Sequence, residues 1–260
     1  MVVLGLDTTT KTGGVALHET NGKEAVCIGD STLTHGERLP GEIIRFLDQN
    51  MLTVAQVDRF AVVSGPGSFT GLRVGLATVQ ALALTNEKHV VAVPTLEAIA
   101  YAGLEQAKTF NENTYLVPWM NAFRGEVFSG VYEIENRCGE VLKKSDVSRL
   151  KEVEVSRVGK PDSVLREWKN RLGGTRGQLI FLAADQQMDV PDLEQSFGKN
   201  ASWMIGVWSL ALTAARIGAG QVGQACPVRP DLVRPVYIRR PDAVLARERR
   251  LKELSDSDET

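Results

Sequence analysis

The sequence predicts an α/β protein built from two similar lobes, each with a mixed β-sheet and packed helices. In the first half, three apolar runs are followed by alternating helical and extended patterns, an order typical of a mixed sheet covered by helices. A strand that ends in a polar residue and returns after a glycine-containing turn occurs twice, at Asp7 and at Asn121. This repetition indicates two related domains facing each other across a cleft, which we place at residues 1–108 and 109–240.

Size and charge narrow the function classes. The chain has 260 residues, enough to bury a substantial core. Its 30 Lys and Arg against 32 Asp and Glu give a formal charge of −2, which argues against autonomous, electrostatically driven binding to nucleic acid. The charge does not exclude nucleic acid as a substrate that the protein shares with other subunits of a complex. The residues after Pro241 are densely charged, and we predict a flexible tail over 241–260.

The sequence also indicates a compartment. Cys27, Cys138 and Cys226 lie far apart without a CxxC, which fits reduced thiols better than a disulfide framework or a zinc knuckle. The first apolar run ends at Asp7 and lacks the basic segment of a signal peptide, and no apolar run has the length of a membrane span. We expect a cytoplasmic protein without membrane contact.

The periodicity of apolar residues predicts the individual elements. In the first lobe the predicted strands are 2–6, 15–17, a segment within 25–33, 59–63 and 89–93, and the predicted helices are 37–51, 72–84 and 96–107. Thr95 is expected to cap the last of these helices. In the second lobe we predict strands 114–120, 126–134, 140–147 and 178–183, helices 161–172 and 203–218, a hairpin at 136–139 and a polar loop at 184–200. The basic segment 232–240 contains two prolines, which predict an extended conformation.

The stretch Ser64–Gly75, with the sequence SGPGSFTGLRVG, joins a buried strand to a long apolar helix. Gly65 and Gly67 allow a sharp turn around the proline between them, and Ser68 or Thr70 can cap the helix. The free backbone N–H groups at such a helix start suit an anion, often a phosphate. The alternative is a tight strand-to-helix turn that holds no ligand.

Asp7 ends the first strand and is followed by Thr8 and Thr9 in a turn rich in hydroxyl groups. Ligand groups gather at the carboxyl ends of strands in α/β sheets, so this turn could wrap a phosphate or position a metal-bound water. In the alternative interpretation, Asp7 accepts hydrogen bonds from nearby backbone N–H groups in an Asx-turn.

The helix after the glycine–proline loop carries a stripe of small residues beside its apolar face. Gly71, Gly75 and Thr78 lie on this stripe. A glycine inside a helix costs about 1 kcal/mol relative to alanine, so two glycines four residues apart predict the close approach of another backbone. That backbone belongs either to the protein's own sheet or to a helix of a partner.

Motifs for self-sufficient catalysis are missing from the sequence. It contains no GxxxxGK[ST] P-loop and no GxGxxG after a strand. His18, His35 and His89 are not spaced as HxxxH or HExxH, and no GxSxG elbow occurs. We therefore assign no catalytic residue, no metal ligand and no cofactor.

Several motifs, taken together, resemble the TsaB (YeaZ-like) family. They are LGLDTT at 4–9, the block at 64–75, VPTL at 93–96, GEVF at 125–128 and PVYIR at 235–239. Their order and spacing fit along nearly the whole chain, excluding the tail after about Arg240. The GPGSFTGLR block is the specific one, whereas the Asp-Thr-Thr start alone would be weak.

The resemblance implies the actin/sugar-kinase/Hsp70 (ASKHA) fold and a role in tRNA modification. Members of this family are implied to be non-catalytic paralogues of TsaD, with which they form a heterodimer joined by the ATPase TsaE. TsaD transfers a threonylcarbamoyl group to the adenosine beside the anticodon of tRNAs that read codons beginning with A, the modification called t6A. By this resemblance the chain is an accessory subunit, and tRNA is a substrate of the complex only.

The resemblance also implies a partner interface on the first two helices, within 39–47 and 71–82. The implied interface residues are Leu39, Ile43, Leu47, Gly71, Leu72, Gly75, Thr78, Val79 and Leu82. A bulky residue at Gly75 would then abolish TsaD pairing and leave the monomer folded. Homodimerisation through the same helices is expected when TsaD is absent.

The remaining implied site is a degenerate set of nucleotide loops. Its residues are Asp7, Thr8, Thr9, Gly65, Gly67, Ser68 and Asn121. Asn121-Ala122-Phe123 replaces the Asp-Ala-Arg usual in the family, and asparagine lacks the anionic oxygen that helps orient a metal–nucleotide. The competing hypothesis is an ASKHA-type ATPase or kinase that uses Asp7 and the Gly-Pro-Gly-Ser loop.

Overall fold

The computed structural model describes residues 1–106, 113–134, 150–175, 177–184, 190–224 and 226–239. The strands are Val2–Asp7 (β1), Gly14–Glu19 (β2), Glu24–Ile28 (β3), Arg59–Gly65 (β4), His89–Pro94 (β5), Tyr115–Asn121 (β6), Val127–Ile134 (β7), Leu150–Gly159 (β8), Leu179–Ala183 (β9) and Ala201–Ile205 (β10). The helices are His35–Gln49 (α1), Phe69–Thr85 (α2), Thr95–Gln106 (α3), Pro161–Leu172 (α4), Glu194–Phe197 (α5) and Leu210–Gly218 (α6). The predicted hairpin at 136–139, strand 140–147 and tail 241–260 lie outside the described residues.

The strands form two five-stranded sheets with the same topology. The first has the order β3-β2-β1-β4-β5 and the second the order β10-β9-β6-β7-β8, which is the same arrangement written from the opposite edge. In each sheet the first strand pairs antiparallel with the second and parallel with the strand that follows the first helical crossover. The predicted α/β architecture with two similar mixed sheets is confirmed.

Apolar burial explains where the helices pack. One face of the first sheet packs with α1 and α2 into a core around Leu4, Leu6, Phe46 and Phe60. The other face packs against α3 and α6. These two helices belong to a second core, which also contains residues of β6 and β7. The outer face of the second sheet packs against α4, where the Trp168 indole is fully buried.

Helix α6 returns from the second sheet to the first. It packs against β1, β2 and β4, and the close approach of its backbone leaves no room for a side chain at Gly5, whose Cβ would lie 2.0 Å from the Ala211 carbonyl oxygen. The division at residues 108 and 240 stays a prediction. Helix α6 belongs to the second lobe by this division, yet it packs against the sheet of the first.

The predicted helix 203–218 is wrong in its first part. Residues 201–205 form strand β10, parallel to β9, and the helix begins only after Ser209, whose hydroxyl accepts from the Leu212 N–H at 3.2 Å. Trp203 contacts the rings of Trp119 and Phe181. The sequence did not reveal the change from strand to helix, because the segment is rich in apolar residues and short apolar runs fit both the strand period and the helix period.

Strand β8 and the start of α3 also differ from the sequence interpretation. Residues 150–159 carry several charged side chains and were not predicted as a strand, yet they pair antiparallel with β7 at the edge of the second sheet, where charges suit an edge strand. Thr95 lies inside α3 and its buried hydroxyl has no partner among the described residues, so it is not the cap. None of the described helices combines the length and apolarity needed to cross a bilayer.

Candidate functional site

The turn after β1 is closed by its own hydrogen bonds. Asp7 is only 4% exposed, and its Oδ1 accepts from the Thr9 N–H at 2.8 Å and from the Thr9 hydroxyl at 2.6 Å. Its Oδ2 accepts from the Thr10 hydroxyl at 3.0 Å. Both carboxylate oxygens are thus engaged within the turn, which is the Asx-turn alternative of the two that the sequence left open.

Thr8 fills the stripe of small residues on α2. A Cβ placed on Gly71 would lie 2.0 Å from the Thr8 carbonyl oxygen, and one on Gly75 would lie 2.2 Å from the Thr8 hydroxyl oxygen. Distances this short exclude a side chain at either position, so the glycines let α2 approach the protein's own first turn. The structure contradicts the interpretation of these glycines as an open contact for a partner helix.

The Gly-Pro-Gly-Ser loop is tied to the same turn. The Ser68 N–H donates to the Thr9 carbonyl at 2.9 Å, and the Ser68 hydroxyl caps α2 by accepting from the Gly71 N–H at 3.2 Å. A Cβ on Gly67 would lie 2.5 Å from the Thr9 Cβ. Gly65 has a φ of 112°, a left-handed conformation that favours glycine. The loop therefore serves as a tight turn that holds two segments of the first lobe together.

The turn at Asn121 holds an exposed aromatic ring. The Asn121 side-chain oxygen accepts from the Phe123 N–H at 2.7 Å, and Phe123, Arg124 and Gly125 all have left-handed φ values of 60°, 58° and 71°. A left-handed conformation is uncommon for bulky residues such as Phe123. The Phe123 side chain is 55% exposed, so the turn presents an apolar ring to solvent.

A cleft of about 520 Å³ lies between this turn and the loop that begins α2. Residues 66–70 line one side, residues 122–124 with Phe128 line the other, and the C-terminal segment 236–239 completes it. Of the predicted nucleotide-loop residues, only Gly67 and Ser68 line this cleft. Gly65 lines a separate cavity, and Asp7, Thr8, Thr9 and Asn121 do not line the cleft. The structure thus does not bring the predicted set together around one space.

The C-terminal segment at 236–239 links the two lobes. The Val236 N–H donates to the Ser64 carbonyl at 2.8 Å, and the Tyr237 ring lies 5.4 Å from the Phe69 ring. On the opposite side, the Arg239 guanidinium pairs with the Glu126 carboxylate. Sequence reasoning did not assign this segment to the site, although its basic and aromatic composition was visible.

The predicted partner residues on α1 and α2 lie mostly in the protein's own core. Those buried against the first sheet are Leu39, Ile43, Leu47, Leu72 and Val79. Thr78 and Leu82 are half-buried. Their side chains pack inward because they belong to the apolar stripe that anchors each helix to its sheet. This corrects the residue assignment and leaves the outward faces of the two helices as the accessible surface.

Those outward faces carry apolar residues beside exposed charged ones such as Arg45 and Asp48. They expose Pro40 and Ile44 on α1, and Ala77, Ala81 and Leu84 on α2. Ile44 is 57% exposed and Leu84 is 56% exposed, and the two helices contact each other. We name these five apolar residues the outer helix surface.

A buried polar network anchors α1 to the first turn. The Arg38 guanidinium donates to the Glu42 carboxylate, to the Thr12 carbonyl and to the Nδ1 of His35. The His35 Nε2 lies 2.9 Å from the Thr10 carbonyl oxygen, so the neutral tautomer that carries its proton on Nε2 satisfies both contacts. Burial is the main cause that lowers the pKa of His35.

Lowering the pH below about 6.5 is expected to destabilise the fold through His35. Because the pKa of His35 is lowered in the folded chain, the unfolded chain binds a proton that the folded chain does not. The free energy of unfolding therefore decreases as the pH is lowered. Urea unfolding at about pH 7.5 and about pH 5.5 measures this slope, which His35→Gln is expected to reduce. Equal slopes in the two proteins would contradict the assignment.

The described residues contain no group of His, Cys, Asp or Glu side chains suited to hold a metal ion. A second cavity of about 250 Å³ lies behind the Gly65–Pro66 turn, with the carboxylates of Glu97 and Glu152 in its lining. Burial, and secondarily the charge of Glu152, raises the pKa of Glu97.

Comparison with known sequences and structures places this geometry in a family. The sequence model described as "TsaD: tRNA N6-adenosine threonylcarbamoyltransferase" matches residues 30–171, which is more than half of the chain. The chain belongs to the TsaD family. The matched range runs from α1 to α4 and therefore contains the Gly-Pro-Gly-Ser loop and the Asn121 turn.

Within the TsaD family, this chain is similar to proteins named TsaB. A Bacillus subtilis protein named "tRNA threonylcarbamoyladenosine biosynthesis protein TsaB" is 26% identical over 76% of this chain and 77% of its own length. The Haemophilus influenzae protein of the same name is 36% identical over 40% of this chain and 44% of its own length. The resemblance to TsaB (YeaZ-like) proteins expected from the motifs is confirmed.

A solved structure supports the same fold. YeaZ from Pseudomonas aeruginosa superposes with a TM-score of 0.64 over 91% of this chain and 99% of its own, at 22% identity. At this identity the likeness concerns the fold. Together with the TsaD family match and the two sheets of equal topology, it confirms the predicted ASKHA fold class.

Proposed function

We propose that this chain takes part in the biosynthesis of threonylcarbamoyladenosine in tRNA as a non-catalytic partner of TsaD. The names of its TsaB relatives support the pathway. TsaE joins the same complex, tRNA is the substrate of the complex, and the isolated chain forms a homodimer.

The engagement of Asp7 is the observation that carries the accessory role. The Asp7 carboxylate accepts three hydrogen bonds from Thr9 and Thr10 within a buried turn, which takes up most of its roughly four acceptor positions and supports a structural role for it. On the second lobe, Asn121 accepts from the Phe123 N–H. Both turns therefore support positioning of the chain itself better than turnover of a nucleotide.

The outer helix surface is the contact that we propose for TsaD. It is the exposed side of the two helices whose inner sides hold the core, so a partner can cover it without unfolding the first lobe. Its small residues Ala77 and Ala81 let a partner helix approach closely, and Ile44 and Leu84 supply apolar area.

Placing a charge on this surface is expected to abolish pairing while the chain stays folded. Ile44→Asp and Ala77→Arg each bury an unpaired charge in the proposed interface and should weaken TsaD binding about 100-fold or more. Co-purification with TsaD and a tRNA modification assay measure the two consequences. Val155→Asp is the matched control, because Val155 is 73% exposed on β8 of the second sheet.

Two results would contradict the proposal. Retained pairing and modification in both surface variants would remove the interface assignment. Turnover of Mg-ATP by the isolated chain, lost in Asp7→Ala, would replace the accessory role by that of an ASKHA-type ATPase, and isothermal titration with Mg-ATP detects the binding step.

A further inference from the structure

We infer that the cleft between the lobes binds an unpaired nucleotide of an RNA strand. The site comprises Phe69 and Tyr237 on one side, Phe123 on the other, and the guanidinium groups of Arg124 and Arg239. The inference rests on the proposed function in so far as that function supplies an RNA substrate. It concerns a surface separate from the outer helix surface and from the Asp7 turn, which does not line this cleft.

Exposed aromatic rings are the first observation. Phe69, Phe123 and Tyr237 are 45%, 55% and 42% exposed, and all three line the same cleft. Clustered exposed rings of this kind mark a binding surface, since a folded chain normally buries them. Stacking on aromatic rings is the general way in which proteins hold unpaired bases.

The three rings differ in how far neighbouring groups already cover them. The Arg73 guanidinium carbon lies 3.9 Å from the centre of the Phe69 ring and so covers one face of that ring. The Arg73 Nε donates to the Tyr237 hydroxyl at 3.4 Å, which holds Phe69 and Tyr237 in place. Phe123 is held on a left-handed backbone by the Asn121 side chain. Uncommon backbone conformations persist where surrounding contacts impose them and often occur at binding sites.

The charge of the cleft is the second observation. Its charged lining residues are Arg124 and Arg239, and the Arg239 guanidinium also pairs with the Glu126 carboxylate, which does not line the cleft. Arg73 adds a third guanidinium next to the Phe69 ring. This local concentration of cations occurs on a chain with a formal charge of −2, so it is confined rather than part of a generally basic surface.

The combination identifies the ligand class. Rings alone would suit an apolar peptide and guanidinium groups alone would suit any anion, but a nucleotide offers a flat base and a phosphate together. The cleft of about 520 Å³ is a space of the size that holds a small ligand, and a base pair inside a duplex could not enter it.

Fluorescence anisotropy with the full-length chain tests this inference. The probe is a fluorescein-labelled RNA stem-loop with an adenine-rich loop, and the comparison probe is the fully paired duplex of the same sequence. We expect the stem-loop to bind, the duplex to bind more weakly, and Phe123→Ala and Tyr237→Ala each to weaken stem-loop binding about tenfold. Phe123→Trp keeps the stacking surface and is expected to retain binding.

Val155→Ala is the matched control, because it removes an exposed apolar side chain from β8 outside the cleft. The inference is overturned if the cleft variants bind the stem-loop as the unaltered chain does, or if no saturation occurs below about 100 µM, the weak limit of non-specific affinity. It is also overturned if adenosine monophosphate alone displaces the probe at equal concentration, which would indicate a free mononucleotide site.

Co-purification with TsaD separates this inference from the proposed function. The cleft variants are expected to pair with TsaD as the unaltered chain does, because the outer helix surface is untouched. Loss of RNA binding with pairing retained supports both proposals. Failure of the unaltered chain to pair contradicts the proposed function, while the anisotropy result continues to decide the cleft.

Discussion

Gly71→Ala is expected to lower the free energy of unfolding by about 3 kcal/mol or more. The added Cβ would lie 2.0 Å from the Thr8 carbonyl oxygen, which is a backbone atom and cannot turn aside as a side chain would. Either α2 or the first turn has to move, and both are held in the core of the first lobe. For a chain of this size the loss corresponds to roughly 10 °C in melting temperature.

Gly75→Leu should likewise destabilise the monomer, contrary to the expectation from sequence that a bulky residue there abolishes pairing in a folded chain. Its Cβ would lie 2.2 Å from the Thr8 hydroxyl oxygen, and the rest of the side chain has no space. Urea unfolding and circular dichroism measure the effect. Ala77→Leu is the matched control on the exposed side of the same helix and should change stability by less than about 0.5 kcal/mol.

A second-site change distinguishes the two glycines. Thr8→Ala removes the hydroxyl that opposes position 75 and should restore part of the stability of Gly75→Ala, but it leaves the carbonyl that opposes position 71. Gly71→Ala therefore stays destabilised in the Thr8→Ala background. A Gly71→Ala chain with unchanged stability would show that the first turn can yield and would reopen this stripe as a partner contact.

Arg38→Met is expected to cost about 3–5 kcal/mol of stability. The guanidinium is buried and pairs with the Glu42 carboxylate, so its removal leaves a buried charge without its partner. The same change removes the donors to the Thr12 carbonyl and to His35 that fasten α1 to the first turn. Chemical denaturation measures the loss.

The double variant Arg38→Met/Glu42→Leu tests the cause. If the unpaired carboxylate produces most of the loss, removing it should restore about 2 kcal/mol or more. If the double variant is as unstable as Arg38→Met alone, the contacts to Thr12 and His35 carry the effect instead. Arg38→Lys should lie between, because an ammonium group cannot reproduce the planar fork that reaches three acceptors.

Local patterns predicted most elements because the spacing of apolar residues follows the geometry of a helix or a strand. The continuous apolar run at Val2–Asp7 and the amphipathic repeat of α1 match a buried strand and a half-buried helix, and both were found. A cap on α2 was also predicted, as Ser68 or Thr70, and the structure shows that Ser68 is the cap. The strands of the second sheet were harder to predict from the sequence. Strand β8 carries many charged residues, and β10 is followed by apolar residues that also suit a helix.

The candidate cleft could be predicted only in part. Gly67 and Ser68 were recognised from the Gly-Pro-Gly-Ser loop, yet Phe123 and Tyr237, which give the cleft its aromatic character, lie more than fifty residues from that loop in the chain. Their meeting depends on the return of segment 236–239 to β4, a pairing between distant segments that no local pattern encodes.

The sequence by itself determined the α/β class, the repeated arrangement of strand, polar end and turn, the TsaB-like motifs, and the fact that something approaches α2 closely at Gly71 and Gly75. Only the tertiary structure decided that this neighbour is Thr8 of the same chain and that the inner faces of α1 and α2 are core. The physical reason is that periodicity and residue size define a face and the space it needs, whereas the group that fills that space is set by which distant segments pack together.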